Sequence, residues 1–218
     1  MSIDQGPTIL PEAIYDELRA RIIDQTFEPG ATITESAIAS RFDVARPTAK
    51  MAIERLVTEG LLRREAHRAA RVPLLERSDI TDLFDNRAIV ERAAVTRLAA
   101  AGILPPEAIA ANRALLDAAA TGAPFANHDI AFHRALVAGQ PSPRLARMHD
   151  LLMGEIELCI GQVQAARLLT ATEVAEQHQG ILDAITAGRS ADAARLTHEH
   201  IITSRDALLA HVDRNTDG

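Results

Sequence analysis

Cysteine occurs once in these 218 residues, tryptophan not at all, tyrosine once and lysine once. A single thiol, Cys159, excludes a disulfide framework within one chain, which removes the small cross-linked secreted scaffolds and points to a reducing compartment. Aromatic residues reach only 3% while hydrophobic residues reach 47%, with alanine recurring throughout, a composition that favours helix over strand. Long uncharged runs are missing: nothing approaches the roughly 20 apolar residues that cross a bilayer. The opening "MSIDQGPTIL" has no basic stretch leading into an apolar core, so a secretory signal is not expected. Glycine-rich phosphate loops and nucleophile elbows are absent too. What is expected is a mostly helical cytoplasmic protein with no membrane partner, long enough for one large domain or two small ones.

Charge is unevenly distributed. The net value is −7, which argues against a polyanionic partner only if it is spread evenly. Between Arg41 and Val72 stand eight basic residues (Arg41, Arg46, Lys50, Arg55, Arg63, Arg64, Arg68, Arg71) and four acids (Asp43, Glu54, Glu59, Glu65). From Glu76 onward there are 13 basic and 19 acidic residues. One part can face phosphate while the other repels it, although a solvated basic face would give the same count.

Periodicity organises the basic part. "PEAIYDELRARIIDQ" places Ile14, Leu18 and Ile22 at helical spacing, and a Pro-Gly turn follows. Thr34 is positioned to cap "ESAIASRF". After the brief "DVA" connection, "RPTAKMAIERLVTEG" has Pro47 in its first turn and Gly60 as its stop. Two helices joined so closely form a helix-turn-helix. The following "LLRREAHRAARVPLL", apolar at its ends and basic between, reads as a small two-stranded wing.

From Pro29 to Val72 these elements resemble the winged helix-turn-helix of the GntR superfamily of bacterial transcription regulators: "PG", "ESAIA", "DVAR", "PTAKMAIERL" and "EGLL" occur in the family's order. The sequence departs from the pattern at three points. Asp43 replaces the turn glycine, Ala45 replaces the usual capping serine, and Arg68-Ala69 replaces the Arg-Gly of the wing tip. The resemblance implies contacts to an inverted-repeat operator from Arg46, Thr48 and Lys50, with Ser36 and Arg68 contributing from the preceding helix and the wing. A guanidinium pairs bidentately with guanine, whereas an ammonium is less directional. Arg41, Arg55, Arg63 and Arg64 are as readily solvated charges as phosphate contacts.

A boundary near residue 75 gives domains 1–75 and 76–218. Beyond it, helical periodicity continues in six segments, about 78–101, 105–120, 125–139, 142–166, 170–187 and 190–213, separated by Gly and Pro breaks. In the third, "DIAFH" sets Asp129 and His133 four residues apart, on one helical face. His178 and His200 sit among aliphatic residues in the fifth and sixth. An Asp and three His converging in a bundle can bind a divalent metal; a single interior histidine is usually a hydrogen-bonded core residue. The region resembles the all-helical FCD ligand domain of the FadR branch, in its "R-x-x-x-E" (Arg87, Glu91), "D-x-x-F-H" (Asp129, Phe132, His133), "H-x-x-I-L-x-A-I" (His178) and His200. That resemblance implies a metal on Asp129, His133, His178 and His200, with zinc foremost and nickel, manganese or iron compatible. His67, His128, His149, His198 and His211 match no ligand position and are expected to be surface or incidental.

The resemblance further implies a homodimeric regulator, a repressor foremost, that responds to a small organic acid bound near the metal. Arg87 is the expected anion partner, though "RAIVE" would equally support an ion pair with Glu91. Two other readings remain open: a metal-dependent hydrolase, with Glu155, Glu157 or Glu173 as base, and a metal-free ligand sensor.

Overall fold

The structure is a computed structural model that describes residues 9–66 and 68–216; His67 lies outside the described residues. The chain divides into two compact units between Leu75 and Glu76.

The first unit runs α1 (Ile9–Ile23), β1 (Thr32–Ile33), α2 (Glu35–Phe42), α3 (Arg46–Thr58) and β2 (Ala70–Arg71). Ile14, Leu18 and Ile22 of α1 are buried, as are Ile38 of α2 and Ala49, Ile53 and Leu56 of α3, and both α1 and α2 pack on α3. Thr34 caps α2, its hydroxyl accepting from the Ala37 amide. Asp43 ends that helix in the left-handed region, with φ 51° and ψ 51°, which its short polar side chain tolerates. Ala45 makes no side-chain cap for α3, leaving an amide of the first turn without the acceptor a serine would supply.

The wing differs from the hairpin expected within residues 61–75. β2 pairs antiparallel with β1, from the segment before α2, in the register Thr32 to Arg71 and Ile33 to Ala70. The expected partner strand is reduced to a single bridge between Arg63 and Arg71. Alanine stands at position 69 in place of the glycine best suited to a tight turn, and among the described residues this bridge is the pairing that closes the hairpin.

The second unit contains α4 (Arg77–Ala101), α5 (Pro106–Thr121), α6 (Ala126–Ala138), α7 (Pro143–Ala165), α8 (Ala171–Thr186) and α9 (Ser190–Thr216). Helices α4 and α9 form its long antiparallel pair, tied by Arg77–Asp213 and Asp85–Arg205 ion pairs, each 2.6 Å. The core joins Val95 and Leu98 of α4, Phe132 and Leu136 of α6, and Ile181 and Ile185 of α8. Gly139 marks a close approach, since a Cβ there would lie 2.3 Å from the Pro105 ring. The start of α6 is held from α7: Gln164 Oε1 accepts from the Phe125 and Ala126 amides at 2.5 and 2.7 Å, supplying acceptors its own N-terminal residues lack.

Candidate metal centre and nucleic-acid interface

Asp129 lies in the first turn of α6 and His133 one turn on, while α8 contributes His178 and α9 contributes His200. All four are buried, and one ligand atom from each falls within 4.8 Å of the others. His133 Nε2 is 3.0 Å and His178 Nε2 3.4 Å from His200 Nε2. Asp129 Oδ1 is 3.2 Å from His178 Nε2, 3.6 Å from His133 Nε2 and 3.9 Å from His200 Nε2. Two ligands about 2.1 Å from one ion can be no more than about 4.2 Å apart; these five separations meet that limit, and the sixth, His133 to His178, is within 4.8 Å.

The outer nitrogens explain which atoms face inward. His133 Nδ1 is 2.6 Å from Glu91 Oε2, and His200 Nδ1 is 2.7 Å from Gln177 Oε1. Both oxygens only accept, so each Nδ1 carries the hydrogen. In the neutral tautomers this leaves lone pairs on two Nε2 atoms only 3.0 Å apart, an arrangement that needs a proton or a metal ion between them. His178 is held differently: Phe132 stacks on its ring at 3.7 Å with planes 9° apart, and its buried Nδ1 has no hydrogen-bond partner among the described residues.

The protonation tendencies agree. Burial opposes ionisation of Asp129, but hydrogen bonds and charge from His133 and His178 hold its carboxyl well below the usual range. Burial pushes His178 down to about 4 despite Asp129. It also drives His200 well below its ordinary value, reinforced by the neighbouring imidazoles. His133 moves up: burial and Arg87 lower it, but Glu91 and Asp129 prevail. Among the described residues, the buried carboxylates of Asp129 and Glu91 beside the centre outnumber its single buried guanidinium, that of Arg87. The donor set fits a divalent cation.

Arg87 is 1% exposed. Its Nε donates to Glu91 Oε1 at 2.8 Å, the ion pair that "RAIVE" allowed, while its buried Nη2 has no partner among the described residues. His149, expected to be surface or incidental, is instead buried, with its Nε2 3.0 Å from Oε1 of the same Glu91 carboxylate. The signal was present: His149, Met153, Ile156 and Ile160 recur at helical spacing, and all are buried. Of the other histidines, His198 is exposed and His128 and His211 half-buried. Two of the bases considered for hydrolysis have other partners. Glu157 binds Arg134 at 2.8 Å, and Glu173 closes a capping box with Thr170.

In the first unit, Ser36, Arg46 and Arg68 line one cleft of about 270 Å³ together with Glu35 and Arg64. Lys50 and Thr48 do not line it; Lys50 is exposed on α3, beside Glu54 at 3.4 Å, and Thr48 is half-buried. Arg68 is 3.0 Å from Glu65. Arg55 has a packing role: its guanidinium lies 3.8 Å over the Tyr15 ring and it pairs with Glu59, which also accepts from the Tyr15 hydroxyl.

Comparison with known proteins agrees with both units. The profile of bacterial regulatory proteins of the gntR family matches residues 10–72, and that of the FCD domain matches residues 82–203. The HTH-type transcriptional repressor GlaR of Escherichia coli (strain K12) is 28% identical over 207 residues, covering 87% of this chain and 91% of that protein. The gluconate operon transcriptional repressor of Bacillus subtilis (strain 168) is 33% identical over 89 residues, 41% of this chain and 36% of that one. Among solved structures, a GntR-type regulator from Rhodococcus sp. RHA1 superposes with a TM-score of 0.77 at 26% identity, covering 93% of this chain and 99% of that chain. E. coli McbR/YncC shares the fold at a TM-score of 0.76 and 18% identity, over 93% and 98% of the two chains. The chain belongs to the gntR family of bacterial regulatory proteins, carries a C-terminal FCD domain, and is a DNA-binding transcription regulator rather than an enzyme.

Proposed function

We propose that the protein is a homodimeric repressor whose hold on an inverted-repeat operator is adjusted by a small organic acid at a divalent metal centre. Residues 1–75 read the DNA, and residues 76–218 carry the metal, the effector and the dimer contact. The observation that carries this reading is the convergence of Asp129, His133, His178 and His200 within 4.8 Å, with two outer nitrogens occupied so that their Nε2 lone pairs face inward.

These four side chains would hold the ion, zinc foremost because mixed nitrogen and oxygen donors suit it, with nickel, manganese or iron accepting the same set. When bound, the ion supplies positive charge and Lewis acidity toward an anionic oxygen. The unpaired Nη2 of Arg87 is the protein's own donor for a carboxylate, since a buried guanidinium nitrogen without an acceptor is costly until an anion reaches it. Arg46, Thr48 and Lys50 reach the major groove, and Ser36 and Arg68 the flanking backbone. Ile89 on α4 and Leu151 on α7, 66% and 76% exposed, give these mutually packed helices apolar outer side chains suited to a second copy.

Half-sites on one face of DNA repeat every 34–36 Å or so. A dimer that binds the acid more tightly in a form with another spacing therefore releases the operator without any altered base contact. The test joins elemental analysis, thermal shift and operator binding on the full-length protein. One divalent ion per chain is expected, with a melting temperature lowered by chelator and raised by small carboxylates that also weaken operator binding. No stoichiometric metal, with operator binding indifferent to every carboxylate, would overturn the reading.

A further inference from the structure

Behind the four metal-facing side chains lies a buried hydrogen-bonded group centred on Glu91 of α4. Glu91 Oε2 accepts from His133 Nδ1 at 2.6 Å. Its other oxygen, Oε1, accepts from Arg87 Nε at 2.8 Å and faces His149 Nε2 at 3.0 Å. Glu91 itself has no exposed surface. One carboxylate thus joins side chains from α4, α6 and α7, and one of its partners is a ligand of the proposed metal.

We infer that Glu91 is a positioning residue for His133, and the link through which Arg87 and His149 act on metal affinity. A carboxylate is a rigid plane, so displacement of the groups on Oε1 turns Oε2, and the imidazole that donates to it turns as well. Its negative charge also makes the His133 Nε2 lone pair a stronger donor, as carboxylates behind ligating histidines do. Arg87 faces both ways: its Nε is fixed on Glu91, and its Nη2 is buried and unpaired. An anion that captures Nη2 draws on the same guanidinium that restrains Glu91. Occupancy at Arg87 and affinity at the metal centre are therefore coupled, and reciprocally so. The inference rests on the metal reading above.

The test measures Zn2+ affinity by competition with a chromophoric chelator, and records the visible spectrum of the Co2+-loaded protein. Glu91→Gln retains an oxygen for His133 but strands a buried guanidinium. It is therefore compared with the double variant Arg87→Met, Glu91→Gln, which removes both charges together. The double variant is expected to melt cooperatively, bind Zn2+ about 10–100-fold more weakly and give an altered Co2+ spectrum. His149→Leu, which leaves both charges in place, is expected to show a smaller loss in the same direction. Wild-type affinity and an unchanged Co2+ spectrum in a folded double variant would overturn the inference while leaving the metal reading intact. If the double variant does not fold, unchanged affinity and spectrum in His149→Leu overturn it instead. A wild-type protein that takes up neither ion fails the metal reading itself, and the inference with it.

Discussion

The two units handle charge in opposite ways. In the first, the cations proposed to meet DNA are kept at the surface: Arg46, Lys50 and Arg68 are exposed, and their acidic neighbours Glu54 and Glu65 sit beside Lys50 and Arg68 as loose surface pairs. Such pairs contribute little to stability and exchange readily for phosphate. In the second, Arg87, Glu91, Asp129 and four histidines are sealed inside the bundle, where an uncompensated charge is costly and geometry is tightly constrained. The first unit is built to release its partners. The second is built so that a change at one buried group reaches the next.

The contrast predicts effects of different kind and size. The largest should follow Glu91→Leu, which leaves the buried Arg87 unpaired: a destabilisation of about 3–5 kcal/mol, read by urea denaturation. A loss below about 1 kcal/mol would mean that water reaches this network as freely as it reaches the surface. Next, Arg46→Ala should weaken specific operator binding by about 1–3 kcal/mol and relax sequence preference at one position, with an unchanged melting temperature. An equal loss on all sequences would make Arg46 a phosphate contact instead. Lys50→Ala should have a smaller effect, mainly lowering the salt dependence of binding by about one counterion; an unchanged titration would remove Lys50 from the interface. The smallest expected change is a gain: Ala45→Ser should restore the missing cap of α3 and add about 0.5–1 kcal/mol of stability, visible as a raised midpoint in denaturant.

Helix positions were legible because their causes are local. Thr34, Pro47, Gly102 and Gly122 mark ends that the backbone respects, and the six predicted segments of the second unit fall within a few residues of the six helices found. The wing was less legible, because the partner of β2 lies before α2 and pairing across that distance leaves no local pattern. Asp129 and His133 could be related by helical spacing alone. His178 and His200 come from other helices; their place among aliphatic residues suggested convergence with that pair, and the family resemblance specified all four as ligands. Glu91 was read as the partner of Arg87 alone; its contacts with α6 and α7 have no trace in the spacing of "RAIVE". His149 matches no ligand motif, and the local trace of its burial is the helical stripe it shares with Met153, Ile156 and Ile160.

The stacked contact of Phe132 on His178 has a consequence of its own. Rotation about Cβ–Cγ tips an imidazole out of its own plane, so the Phe132 face opposes that rotation in His178, as the polar anchors behind His133 and His200 oppose it in those rings. Of the three imidazoles, His178 is the one oriented by an aromatic face instead of an outer hydrogen bond, so its aim at the ion answers to the packing of α6 against α8.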